Sequence, residues 1–274
     1  MPPDDAHHPG IIYGTAWKKA DTARLVRTAI QRGFRAVDTA CQPKHYDEAG
    51  VGAGVALCLN AALVRADLYL QTKFTPVSGQ DPASIPYDPA APLPQQVHQS
   101  FAASLRNLRT NYLDCLILHS PLASPRQTQE VWRAMESLAI GGDVRQLGIS
   151  NCYSLEQLKA LFDSARIKPA VVQNRLYADT GYDREIRTFC KKQRIIYQSF
   201  WTLTANPHVL AHATIAGLAK KYRRTPAQIF FRHLTQGGVV PLTGTRSEAH
   251  MREDLAIFDF ELTDPERETV DELL

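Results

Sequence analysis

Three titratable side chains close three successive apolar runs. Asp38 follows Arg35-Ala-Val, Lys73 follows Asp67-Leu-Tyr-Leu-Gln-Thr, and His119 follows Asp114-Cys-Leu-Ile-Leu. One polar residue at the end of such a run is unremarkable, since a chain must leave its core somewhere. A carboxylate, an ammonium and an imidazole at the same end of three consecutive runs converge on one mouth if the runs are neighbouring parallel strands. Tyr46, eight residues past Asp38, lies in a loop that can reach that mouth. A phenol ordinarily titrates near pH ~10. An adjacent ammonium stabilises phenolate and lowers that value, and a carboxylate would hold the ammonium charged and in place. These four residue types are the parts of a tuned proton donor.

The elements that must position them are marked by pattern. Strand candidates are Ile11–Ala16, Arg35–Ala40, Asp67–Lys73, Asp114–Ser120, Gln146–Ser150, Ala170–Asn174, Ile195–Phe200 and Gly238–Thr243, each followed by a helix candidate. Asp21 reads as the cap of a helix whose inner face holds Leu25, Val26, Ala29 and Ile30, and Gly33 ends it. Ser154 with Gln157 reads as a capping box ahead of Leu155, Leu158, Leu161 and Phe162. Thr225-Pro226-Ala-Gln228 is another, with Pro at the first helical position. Apolar runs alternating with amphipathic helices imply a buried parallel sheet. Eight units imply closure into one (β/α)8 TIM barrel over residues 1–274, with an open doubly wound sheet as the competitor on pattern alone. Gly50-Val-Gly-Ala-Gly54 lacks the spacing and the preceding strand of a dinucleotide fingerprint and reads as close helix packing. Residues 75–94 break the rhythm with Pro76, Pro82, Pro86, Pro89, Pro92 and Pro94. So long a loop after the third strand is expected over the active-site face.

Composition narrows the function classes. The net charge is +3, from 31 basic and 28 acidic side chains, which gives no nucleic-acid footprint. Cys41, Cys58, Cys115, Cys152 and Cys190 form no CxxC pair, as expected of reduced thiols in a cytoplasmic protein. The nine histidines lack metal-site spacing, so no metal is expected. No apolar run reaches the ~18 residues of a membrane span. The opening Met1-Pro-Pro-Asp-Asp-Ala-His-His shows no secretory signal. Nothing in the sequence demands more than a monomer.

Taken in order, Gly14-Thr15-Ala16-Trp17, Asp38-Thr-Ala, Tyr46-Asp-Glu48, Thr72-Lys73, Leu118-His119-Ser-Pro121, Gly148-Ile-Ser-Asn151 and Gln198-Ser-Phe200 resemble the aldo-keto reductases. The resemblance runs from about residue 11 to the end of the chain. It implies NAD(P)H-dependent reduction of an aldehyde or ketone, with Asp38, Tyr46, Lys73 and His119 as a catalytic tetrad. Tyr46 would be the acid, Lys73 held by Asp38 would lower its pKa, and His119 would orient the carbonyl. The first βα loop implies cofactor contacts at Gly14, Thr15 and Ala16. Ser150, Asn151 and Gln173 would bond the nicotinamide carboxamide, and Phe200 would stack on its ring where the family usually has Tyr. Trp201, Thr202 and Leu203 fall in the loop that resembles the pyrophosphate clamp. Leu242, Thr243, Gly244, Thr245, Arg246, His250, Glu253 and Asp254 would meet the adenosine-phosphate end.

Departures from the family pattern shape further expectations. The Asp38–Tyr46 spacing is three residues longer than the common version, through Gln42-Pro43-Lys44-His45, with Lys44 and His45 as pocket rim. Ser120 replaces a frequent Trp, and the short C-terminus implies an open substrate site. Leu242 stands where relatives that prefer NADPH often carry Lys, so Arg246 is the candidate for a 2′-phosphate by charge-assisted bonds. NADPH is expected as the cofactor, with NADH as the alternative. Two other readings of the same scaffold stay open: a cofactor-binding regulatory barrel, and a non-redox acid/base enzyme such as an isomerase or lyase.

Overall fold

The computed structural model describes residues 9–274, so the reading of the first eight residues falls outside it. Eight parallel strands close on themselves in chain order. They are β1 (Ile12–Gly14), β2 (Ala36–Asp38), β3 (Tyr69–Phe74), β4 (Leu113–Leu118), β5 (Val144–Ser150), β6 (Val171–Arg175), β7 (Ile196–Phe200) and β8 (Val239–Thr243). Pairing of β1 with both β2 and β8 completes the ring. The chain is therefore a (β/α)8 barrel, and the open-sheet alternative falls away. All eight apolar runs became strands because their inward and outward faces are both covered, by barrel filling on one side and helices on the other.

The helices are α1 (Thr22–Arg32), α2 (Glu48–Ala56), α3 (Leu93–Leu108), α4 (Pro125–Ile140), α5 (Leu155–Ser164), α6 (Arg184–Gln193), the short α7 (Pro207–Leu210), α8 (Ala213–Tyr222), α9 (Pro226–Gln236), α10 (Glu248–Leu255) and α11 (Asp264–Asp271). Their boundaries follow local chemistry. Gly33 ends α1 at φ 120°, a conformation that costs a Cβ-bearing residue dearly. Thr225 and Gln228 form the reciprocal capping box of α9, and Ser154 accepts from the Gln157 N–H ahead of α5. Leu158 and Leu161 of α5 are buried, with Leu155 and Phe162 packed beside them.

Two expectations need correction or refinement. Asp21 makes no side-chain cap bond at α1. Its carboxylate is drawn instead to Arg24 and Arg246, both at hydrogen-bond distance. The Pro-rich 75–94 segment contributes none of the side chains lining the barrel's main cavity among the described residues. It braces the loop before Tyr46: the Gln42 Nε2 donates to the Gly79 carbonyl at 2.7 Å, and Gln80 Nε2 to that of Cys41 at 2.9 Å. Tyr87 is buried against Phe74 and donates to the Thr75 carbonyl. The glycine-rich 50–54 stretch does serve close packing. A Cβ at Gly52 would collide with the backbone of Asn107 and Leu108, and one at Gly54 with the backbone of Ala23.

Candidate active site

The C-terminal ends of the strands open into a cavity of about 900 Å³. Asp38 and Lys73 meet beneath it, 3% and 1% exposed. The Lys73 ammonium contacts both Asp38 carboxylate oxygens, at 2.6 and 2.7 Å, and the Thr39 carbonyl at 2.8 Å. All three of its protons are thereby used. The same ammonium stands 5.3 Å from the centre of the Tyr46 ring. His119 lies across from Tyr46, ring centres 6.0 Å apart and nearly perpendicular. Asp38, Tyr46 and His119 line the cavity, and Lys73 acts from behind. The structure thus brings the four sequence-predicted residues together.

Their electrostatics differ from the expectation in one respect. Lys73 does not pull the Tyr46 phenol down. Burial, reinforced by Asp38, pushes it above its ordinary value. The ammonium spends its charge on Asp38, so the pair offers little net positive field, and desolvation of the phenolate dominates. Lys73 itself is pulled down by burial and held up by Asp38. His119 is pushed down to about 3 by burial, with Lys73 and His45 adding to the effect. Its imidazole is therefore neutral at physiological pH. Nδ1 is 2.6 Å from the Thr75 hydroxyl. When that hydroxyl donates, Nε2 carries the proton as a donor.

The lengthened loop is built into the site. Gln42's carbonyl accepts from the His45 and Tyr46 N–H groups, making a tight turn. The His45 ring stacks on Trp17 at 3.8 Å, and the Trp17 N–H donates to the His45 carbonyl at 2.7 Å. The extra residues therefore tie the β2 loop to the β1 loop. His45 lines the cavity as expected of a rim residue, whereas Lys44 is exposed outside it.

At the next strand ends, Ser150 donates to the Gln173 carbonyl at 2.6 Å, and Asn151 Nδ2 to the His119 carbonyl at 2.9 Å. Ser150, Asn151, Gln173 and Phe200 all line the cavity, followed by Trp201, Thr202 and Leu203. Further round the ring come Leu242, Thr243, Gly244, Thr245, Arg246, His250, Glu253 and Asp254, with Gly14 and Ala16 closing the circle. Thr15 is fully buried and off the cavity; its hydroxyl and N–H both reach the Asp38 carbonyl. Thr243 donates to the Asp254 carboxylate at 2.7 Å, and burial raises Asp254 to about 6.

Arg246 faces the β1 loop. Its guanidinium pairs with Asp21 at 2.9 Å and donates to the Trp17 carbonyl at 2.8 Å. Lys18 was missed from sequence. It is 2% exposed, lines the cavity and donates to the Gly244 carbonyl at 2.7 Å. Burial, with Arg246 nearby, lowers it to about 8. Arg175 was missed too; it lines the cavity, stacked 4.3 Å from the Trp201 ring. A lysine or arginine beside a strand end looks like any solvated charge, and only the residue's neighbour in the Gly14–Trp17 motif hinted at Lys18.

The model of the Aldo/keto reductase family matches residues 10–207. The chain belongs to the aldo-keto reductases. It is 30% identical over 253 residues to the glyoxal reductase of Bacillus subtilis, covering 92% of this chain and 83% of that protein. The aldo/keto reductase structure from Brucella melitensis superposes with a TM-score of 0.82 at 27% identity, over 100% of this chain and 98% of that one. A Bombyx mori aldo-keto reductase in complex with NADP shares the fold, with a TM-score of 0.83 at 24% identity over 99% of this chain and 91% of that one. Membership implies NAD(P)H-dependent carbonyl reduction, and the family works with a nicotinamide cofactor.

The buried pair yields a direct test of the site's construction. Lys73→Met leaves the Asp38 carboxylate buried without its counter-charge, which typically costs about 3–5 kcal/mol. Urea unfolding at neutral pH should show a loss of that order; an unchanged midpoint would contradict the burial argument.

Proposed function

We propose that this aldo-keto reductase reduces an aldehyde or ketone of a small molecule with NADPH, Tyr46 acting as the general acid. The observation that carries the reading is a phenol at the cavity, backed by the Lys73 ammonium and faced by the His119 imidazole. Burial keeps the proton on Tyr46 until a carbonyl oxygen takes it. Asp38 holds Lys73 behind the phenol ring, so the floor of the site stays neutral while the proton leaves. His119, with Thr75 on Nδ1, offers Nε2–H to the carbonyl oxygen and orients it. Positioned acids of this kind contribute about 10²–10⁴-fold in rate.

The cavity suits a reduced dinucleotide: hydroxyl and amide groups at Ser150, Asn151 and Gln173, an aromatic face at Phe200, then cations at Lys18 and Arg246. When bound there, the nicotinamide supplies the hydride. We assign Arg246 to the 2′-phosphate. Its present partner Asp21 is a half-exposed ion pair, 52% and 44% exposed, a class that contributes only about 0–1 kcal/mol, so a phosphate dianion can compete for the guanidinium. NADH remains the alternative cofactor.

Tyr46→Phe should abolish NADPH consumption across a panel of aldehydes and ketones and leave NADPH affinity nearly unchanged. Retained turnover would remove Tyr46 from the acid role. Absence of turnover by the unaltered chain, despite tight cofactor binding, would favour a regulatory barrel. Arg246→Ala should raise the KM for NADPH roughly tenfold, as expected for loss of a charge-assisted bond, while that for NADH stays put. Equal changes in both would contradict the 2′-phosphate assignment.

A further inference from the structure

Gln71, Gln173 and Gln198 are 0%, 2% and 0% exposed. A glutamine inside an apolar strand has no place in the proton-transfer scheme, so three of them meeting at one point call for an account. Gln71 pairs in register with Asp38 across β2 and β3, and Gln173 with Gln198 across β6 and β7. These strand pairs face each other across the barrel, and their side chains join in its middle. Gln71 Nε2 donates to Asp38 Oδ1 at 2.7 Å and to Gln198 Oε1 at 2.9 Å. Gln173 Nε2 donates to the same two oxygens, at 3.0 and 2.9 Å. Gln198 Nε2 returns a bond to Gln71 Oε1 at 3.0 Å.

One group dictates all of these orientations. A carboxylate only accepts, so Gln71 and Gln173 must both turn their NH2 ends towards Asp38. Gln198 must then turn its oxygen towards both of them and its NH2 towards Gln71. Every other arrangement sets oxygen against oxygen in a buried site, where an unmet polar group is expensive. The consequence appears at the cavity wall. Both protons of Gln173 Nε2 are used, so the atom left for the cavity is Oε1, an acceptor.

We propose that the Asp38 charge, transmitted through a frame made by Gln71 and Gln198, fixes Gln173 as an acceptor and thereby makes the site read the NH2 group of a nicotinamide carboxamide. This inference rests on the proposed binding of a nicotinamide dinucleotide at Gln173. Gln71 and Gln198 are positioning residues: they touch no reacting atom and act through Asp38 and Gln173. Asp38 gains a second task beyond holding Lys73.

The test compares equilibrium binding of NADP+ with that of its 3-acetylpyridine analogue, in which a methyl replaces the NH2, by calorimetry on the full chain. The unaltered chain should bind NADP+ roughly tenfold more tightly, the worth of one buried hydrogen bond left unmade. Asp38→Asn removes the charge that orders the amides, and the ratio should collapse towards one. Gln198→Met removes one of the two pins on Gln173, and the ratio should fall by about threefold, since half of the restraint remains. Gln198→Glu, protonated by burial beside Asp38, keeps both an acceptor and a donor and should restore the ratio. A purely structural role would weaken both ligands alike and leave the ratio unmoved. An unchanged ratio in folded Asp38→Asn and Gln198→Met overturns the inference; a fall in Asp38→Asn alone removes the glutamine frame from it. If Asp38→Asn does not fold, Gln198→Met and its Glu counterpart carry the test. Failure of the unaltered chain to bind either dinucleotide would instead sink the cofactor reading on which the inference stands.

Discussion

An ammonium that is 1% exposed can stay charged only beside a carboxylate that is itself ordered. Lys73 has Asp38, and Asp38 has two glutamine amides besides. The pair comes from adjacent strands, β2 and β3, so the barrel's register sets its geometry. Thr15, just past β1, bonds the Asp38 carbonyl, and Thr39 gives its own carbonyl to Lys73. Breaking the contacts to the ammonium or the carboxylate would leave charge in a medium that cannot solvate it. The mouth of the barrel is arranged around this one neutralised pair, with the Tyr46 ring beside it and His119 across from Tyr46.

Neutralisation changes the chemical sense of the site. A lone ammonium beside a phenol would favour phenolate; a paired one leaves burial in command. Tyr46 then holds its proton, the state that the proposed donation requires, while His119 is neutral chiefly through its own burial. Loops rather than strands bring the phenol into position. The turn at Gln42, the Trp17–His45 stack and the bracing from residues 79 and 80 hold the longer β2 loop from three sides. Across the mouth, Lys18 and Arg246 sew the β1 loop to the β8 loop.

The barrel and the convergence of Asp38, Tyr46, Lys73 and His119 were legible in the sequence because both depend on position along the chain. An apolar run has a C-terminal end, and in a parallel barrel those ends share a face. Other features depend on what lies opposite. Gln71 and Gln198 sit mid-strand, where alternation says nothing about which residues meet across a closed ring. Lys18 and Arg175 resemble surface charges until a cavity wall is drawn through them. Asp21 reads as a helix cap, yet two arginines offer its carboxylate stronger partners than an N–H group. The direction of the Tyr46 shift was missed for a different reason: the Asp38–Lys73 pairing was legible, but that burial of the phenol would outweigh what is left of the ammonium's charge was not.

As the proposed acid, Tyr46 keeps its proton across the working pH range because it is buried and the Lys73 charge is already spent on Asp38. The most direct measurement is the pH dependence of single-turnover carbonyl reduction with saturating reduced cofactor, which removes any effect of Lys18 on binding. With His119 neutral above about 3 and the phenol protonated, the rate constant should be flat from pH ~6 to ~9, well inside the range set by an unperturbed phenol. A loss of rate with a midpoint at or below pH ~8, absent in controls for chain stability, would mean that Lys73 does depress the phenol and would contradict the account.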